Sequence, residues 1–215
     1  MTLLDLIIRN GTVIDGTGSP KFKADIGIKN DSVIALGEVT GSAISEINAS
    51  GAVVTPGFID LHTHSDNSFL IDPLADSKLT QGVTFELMGN CGMSFCAPLN
   101  SQTIDDFNNR TNKYDPDYKP GWSTMDGYLS TLENTGSTIN IAAQVGHGTV
   151  RRSVMGMDPR MPSPEQLDRM KGLIAESLDA GALGMSTGLW YAPGSYSLAD
   201  EVIAVTQPAA DRGKL

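Results

Sequence analysis

The pattern of the chain changes at Pro56. From Leu3 to Val54, short β-forming runs ("LLDLIIRN", "GTVID", "ADIGIKN", "DSVIALG", "AISEINAS", "GAVVTPG") are cut by Gly, Asn, Asp and Ser, which reads as a small antiparallel sheet domain. Beyond Pro56, runs that are apolar almost throughout alternate with amphipathic stretches of helical length. That is the signature of βα units on a parallel sheet, whose strands are buried on both faces and lose the alternation of a half-exposed strand. The boundary therefore falls near residues 55–57, giving a β domain over 1–56 and an α/β domain over 57–215.

Four βα units can be traced, on "FIDLH" (58–62), "VTFEL" (83–87), "INIAAQV" (139–145) and "ALGMST" (182–187). The clearest helix is "SPEQLDRMKGLIAESLDAG": Ser163 caps it, Pro164 occupies the first turn, Leu167, Met170, Ile174 and Leu178 share a face, and Gly181 stops it. Two further helices are expected in "WSTMDGYLSTLENTG" and "SLADEVIAVT", and Pro208 is expected to end or kink the second. A closed (β/α)8 barrel needs eight strands and about 250 residues. Either the fold is a different α/β arrangement or the chain carries half of a barrel. The ending "VTQPAADRGKL" favours the second, because it reads as a helix stop followed, at Leu215, by the first residue of a new strand.

Charge and apolar runs narrow the partners. Fifteen Lys and Arg against 25 Asp and Glu give a net charge of −10, which works against nucleic acid or an anionic membrane. No stretch approaches the roughly 18 apolar residues of a membrane span. The expectation is a soluble cytoplasmic protein with a small-molecule substrate. The two cysteines, Cys91 and Cys96, form no CxxC pair and indicate neither a disulfide framework nor a zinc knuckle.

The chemistry begins in "GFIDLHTHSD", residues 57–66. Residues i and i+2 of a strand point to one side, so His62 and His64 can present two imidazoles to one metal ion. The carboxyl ends of parallel barrel strands are where catalytic residues collect. Two of the chain's three histidines lie in this tripeptide, which puts the metal reading ahead of two ordinary strand-end histidines. Cys91, in "ELMGNCGMS", follows the next strand between Gly89 and Gly92. It is either a thiolate ligand for zinc alongside the imidazoles or a buried cysteine acting as a small hydrophobe; spacing alone leaves both open. Cys96 lacks the turn context and reads as structural.

Taken together, "GAVVTPGFIDLHTHSD", "GVTFELMGNCGMS", "VGHGTVRRSVMG" and "GALGMSTGLWYAPGSYS" resemble the amidohydrolase superfamily, and "GNCG" with "STGLWYAPG" resembles its N-acyl-D-amino-acid deacylase (D-aminoacylase) branch. The resemblance runs over essentially the whole chain. It implies an α/β fold made of the N-terminal part of a small β-sandwich domain plus the first four or so βα units of a metal-dependent TIM-like barrel. It also implies one or two Zn2+ held by His62, His64 and the bridging Cys91, and hydrolysis of the amide of an N-acyl-D-amino acid. The family's other ligands, two histidines and an aspartate that is also the general base, have no counterpart in these 215 residues. The resemblance thus implies an N-terminal portion of such an enzyme, with weak or absent zinc binding and no turnover by itself.

Three further residues stand near the expected mouth. The Tyr191 hydroxyl can meet a substrate carboxylate or acyl oxygen, or be satisfied locally in packing. Arg151, in "GHGTVR" with His147, can grip a carboxylate or be simply solvated. Asp66 can orient a ligating histidine or cap a helix. Other classes are possible in principle. "GMSTG" (184–188) matches the G-x-S-x-G nucleophile elbow with Ser186 attacking, but Pro193 and Gly194 interrupt the helix that such an elbow must open. A cyclic-amide hydrolase of the hydantoinase or dihydroorotase kind is the near alternative, although such enzymes usually bridge with lysine, and no lysine falls at the matching place. A non-catalytic fragment that needs a complementing chain or oligomer is the third.

Overall fold

A computed structural model describes residues 3–214 and divides into two compact units, Met1–Gly57 and Phe58–Leu215. Leu215, read above as the start of a new strand, lies outside the described residues.

The first unit is one five-stranded sheet built around β1 (Leu4–Val13), with β2 (Phe22–Lys29), β3 (Ser32–Gly37), β4 (Ala43–Asn48) and β5 (Val53–Val54) in the order β3-β2-β1-β4, and β5 also on β1. Two expectations are corrected here. The sheet is mixed rather than antiparallel: β2 and β3 form antiparallel pairs, whereas β4 and β5 share the other edge of β1 and run parallel to it. The Asn10-Gly11 turn signal does not end a strand either. It is a bulge between Ile8 and Gly11, with Asn10 at φ 62°, and β1 continues through it because a bulge absorbs the extra residue. Leu4, Ile7 and Val39 form one small core, and Val13, Ala24 and Ile26 another.

The second unit has β6 (Phe58–Asp60), β7 (Val83–Met88), β8 (Asn140–Gly146) and β9 (Gly184–Ser186), parallel and in sequential order. Parallel neighbours require crossovers. Those here carry α1 (Ser68–Ile71), α2 (Asp76–Leu79), α3 (Ile104–Thr111), α4 (Met125–Thr135), α5 (His147–Met155) and α6 (Pro164–Asp179), and α7 (Ala199–Asp211) follows β9. The helix α6 starts where its local signals put it. Ser163 Oγ accepts from Gln166 N–H at 3.2 Å, and Gln166 Oε1 accepts from Ser163 N–H at 2.9 Å. Its Met170, Ile174 and Leu178 are at most 1% exposed, and such burial is worth about 1.5–3 kcal/mol per side chain. They pack with Met88, Ala143 and Val145 of the strands, Tyr128 and Leu132 of α4 and Val205 of α7.

Pro208 does not end α7, which runs on to Asp211. One turn from the helix end, a missing N–H removes a single backbone bond, the ring is buried, and Arg212 Nη1 donates to the Pro208 carbonyl at 3.1 Å. The helix α5 begins directly at His147, where a mouth loop was expected. Among the described residues, no helix is long and apolar enough to cross a membrane.

Candidate metal centre

The first two donors are placed by the end of β6. Asp60 accepts the His62 N–H at 3.3 Å and the Lys78 ammonium at 3.0 Å, and Lys78 Nζ also lies 2.6 Å from the buried Glu86 of β7. The Lys78 hydrogen bond, helped by that from His62 N–H, holds the Asp60 carboxyl below its ordinary value. Thr63 is buried, and its N–H and hydroxyl both donate to Leu87 O, at 3.2 and 3.0 Å. The alternation that turns Thr63 inward against β7 leaves His62 and His64 exposed. Their ring centroids are 5.7 Å apart.

The third donor sits on a turn that ordinary backbone does not adopt. Gly89, Cys91 and Gly92 all have positive φ, at 77°, 57° and 74°, and the left-handed region costs a residue such as Cys91 about 1–3 kcal/mol. The neighbours hold it there. Ser186 Oγ accepts from Gly92 N–H at 2.9 Å and donates to Gly89 O at 2.5 Å. Tyr191 Oη donates to Cys91 O at 2.5 Å, and Thr149 N–H donates to Gly92 O at 3.1 Å. Packing is backbone on backbone: a Cβ on Gly89 would lie 2.1 Å from Gln144 O, and one on Gly188 2.1 Å from Cys91 O.

This brings Cys91 Sγ to 3.1 Å from His62 Nε2, and one ligand atom each of His62, His64 and Cys91 lies within 4.8 Å of the others. With Zn–N of about 2.0–2.1 Å and Zn–S of about 2.3 Å, two tetrahedral ligands of one ion stand about 3.3–3.6 Å apart. The trio therefore fits one ion with small side-chain adjustments. Two imidazoles and a thiolate suit zinc and disfavour magnesium or calcium. Burial, helped by the positive charge of Arg110, pushes the His64 pKa down and favours the neutral ring a metal requires.

The other expected residues are placed differently. Arg151 is a correction. It has no exposed surface, its Nε donates to Glu201 at 3.0 Å, and its two Nη groups donate to the carbonyls of Asp158 and Arg160 at 2.9 and 2.8 Å. Lying one turn into α5, it cannot reach a substrate carboxylate. His147 is equally buried between Thr187 Oγ1 and Glu201 Oε1, each at 3.1 Å. Asp66 is 2% exposed and, pushed up by burial to a pKa of about 6, bonds to neither imidazole; the N-cap position of α1 is Asn67. Cys96 is fully buried. The Ser186 hydroxyl proton is committed to Gly89 O, which removes the nucleophile reading.

Sequence reasoning missed Thr63, Ser186 and Thr149 as supports of the donors. The paired glycines around Cys91 signalled an unusual turn, but nothing local connects Gly89 with a hydroxyl 97 positions away.

The sequence profile of the Amidohydrolase family matches residues 45–212. The N-acyl-D-glutamate deacylase of Alcaligenes xylosoxydans xylosoxydans is 37% identical over 214 residues, which are 99% of this chain and 43% of that protein. A solved structure of D-aminoacylase, described with a binuclear metal center, matches with a TM-score of 0.89 and 36% identity over 98% of this chain and 44% of that one. The N-acyl-D-glutamate deacylase from Bordetella bronchiseptica, complexed with zinc and a phosphonate mimic of the tetrahedral intermediate, matches with a TM-score of 0.87 and 36% identity over 100% of this chain and 44% of that one. The chain spans a little under half the length of these relatives. Its separate β sheet and its four sequential parallel strands correspond to a β domain with part of a TIM-like barrel. On its profile, its relatives and its fold, this chain belongs to the amidohydrolase family.

Proposed function

We propose that the protein acts in zinc-dependent hydrolysis of the amide bond of N-acyl-D-amino acids, with His62, His64 and Cys91 as zinc ligands. The observation that carries this reading is the convergence of two imidazoles and a thiol within 4.8 Å, following adjacent parallel strands at the end where barrel enzymes build their active sites. The deacylase relatives support the substrate class. Zinc bound there supplies a water with its pKa lowered to about 7 and a Lewis acid for the acyl carbonyl.

The chain's own groups then have defined tasks. His62 and His64 act as neutral rings and Cys91 as a thiolate, with the 89–92 turn fixing the direction of the sulfur. Tyr191 faces the substrate in this proposal: its phenol stands beside Cys91, and it reaches a substrate oxygen by exchanging the Cys91 carbonyl as its acceptor. The donor group of the described residues contains no carboxylate. The family resemblance implies that the general base is an aspartate, and that aspartate has no counterpart among these residues.

The test pairs elemental analysis with assays on the protein purified together with the segment that carries the general base, and on its Cys91→Ala variant, both checked for folding by circular dichroism. Zinc in the unmutated protein but not in the variant, with free D-amino acid released from N-acyl-D-amino acids and not from the L forms, is the expected result. A folded protein that takes up no zinc, or one that opens hydantoins and leaves N-acyl-D-amino acids intact, overturns the reading.

A further inference from the structure

Ser186 is the centre of "GMSTG", a motif that the proposed hydrolysis leaves without a task. We propose that Ser186 is a positioning residue for the metal site, whose hydroxyl sets the affinity of Cys91 for the ion by clamping the turn that carries it. The inference rests on Cys91 being a ligand.

The geometry is specific to a short hydroxyl. Ser186 Oγ donates to Gly89 O and accepts from Gly92 N–H, so one atom joins the two ends of the turn whose interior is Asn90 and Cys91. A hydroxyl has one proton and two lone pairs, and this arrangement uses the proton and one of the pairs. Tyr191 and Thr149 each hold a single carbonyl of the turn, whereas Ser186, alone among the described residues, bridges both ends. It does so from the last residue of β9, where pairing with Gly146 of β8 fixes its register. The backbone of Cys91, at φ 57°, is held in a region it would otherwise leave. Loss of the clamp lets the turn relax, and the sulfur then meets the imidazoles only part of the time.

The experiment compares Ser186→Ala, Ser186→Thr and Cys91→Ala in the whole protein. Zinc affinity is measured by competition with a chromophoric chelator, the thiolate-to-metal charge-transfer band is read after cobalt substitution, and circular dichroism reports folding. Partners that orient a metal ligand typically contribute about 10–100-fold in affinity. Ser186→Ala is expected to lose that much, with a weakened cobalt-thiolate band, and Ser186→Thr, which keeps the hydroxyl, to restore both. Zinc affinity within twofold of the unmutated protein in folded Ser186→Ala, with the band unchanged, overturns the clamp. If that variant does not fold, hydrogen exchange of the Gly92 amide in the unmutated metal-free protein decides: protection supports the clamp, and exchange at the unstructured rate overturns it. Retention of zinc by Cys91→Ala sinks the ligand assignment itself, an outcome distinct from an unaffected Ser186→Ala beside a zinc-free Cys91→Ala.

Discussion

Two polar clusters follow the strands of the second unit, and they contain similar chemistry put to opposite uses. His62, His64 and Cys91 keep solvent access, and the ring nitrogen and sulfur that approach most closely, 3.1 Å apart, do so with each other. His147, Arg151 and Glu201 are at most 2% exposed, and of their buried side-chain nitrogens and oxygens Glu201 Oε2 lacks a partner. Glu201 Oε1 takes His147, Arg151 and the Ser197 hydroxyl, at 3.1, 3.0 and 2.9 Å. In both places a strand leads into a histidine, so residue type and position do not separate them. What does is whether lone pairs are left within reach of solvent. In the proposed reading the first cluster receives an ion, and the second joins α5 to the start of α7.

The contrast can be broken most directly at its buried half. Glu201→Ala leaves the Arg151 guanidinium without its counter-charge in the interior, and removing one partner of a buried pair costs about 3–5 kcal/mol. Urea unfolding of the metal-free protein should show that loss, while the fraction that remains folded binds as much zinc as before. Cys91→Ala should do the reverse: zinc affinity falls by about 100-fold or more, equivalent to about 2.7 kcal/mol, and metal-free stability shifts by less than about 1 kcal/mol. If Cys91→Ala unfolded the metal-free protein as severely as Glu201→Ala, the two clusters would not differ in kind.

Legibility in the sequence follows the same division. Signals within a few residues were readable: the Ser163 and Pro164 start of α6, the strand that leads into two histidines, and the glycines that mark the turn at Cys91. Partners distant in the chain were not. Arg151 is buried because Glu201, fifty positions on, meets its guanidinium, and no local pattern announces that pairing. The Asn10-Gly11 signal marked a real irregularity, yet whether it closes a hairpin or makes a bulge depends on what lies beside β1. β4 and β5 lie parallel to it, and that choice of edge is a decision of the assembled sheet. Pro208 was misjudged for a related reason: the burial of its ring and the bond from Arg212 to its carbonyl are tertiary.

Tyr191 is the residue that ties the exposed cluster to its support, and its replacement sharpens the comparison at smaller scale. Tyr191→Phe removes one hydrogen bond to the Cys91 carbonyl, a loss of about 0.5–1.5 kcal/mol expected in metal-free stability by urea unfolding. If the phenol also faces substrate, kcat/KM for an N-acyl-D-amino acid falls by more than zinc affinity does. Equal falls in the two would confine Tyr191 to holding the turn.

The smallest effect expected is on acid stability, and it belongs to the buried cluster alone. Burial pushes the Glu201 carboxyl up, but the hydrogen bonds from His147 and Ser197 and the Arg151 charge outweigh it, so its pKa lies below the ordinary value. The folded state therefore binds this proton less readily than the unfolded state does. The stabilisation is complete above the unfolded value of about 4.3 and is lost as pH falls through the lower folded value. The stability difference between the metal-free protein and Glu201→Gln should accordingly be constant from pH 7 to about pH 5 and narrow below the unfolded value. A difference that stayed flat into strong acid would mean that Glu201 carries no charge in the fold, and that the cluster is held by neutral hydrogen bonds rather than by the ion pair with Arg151.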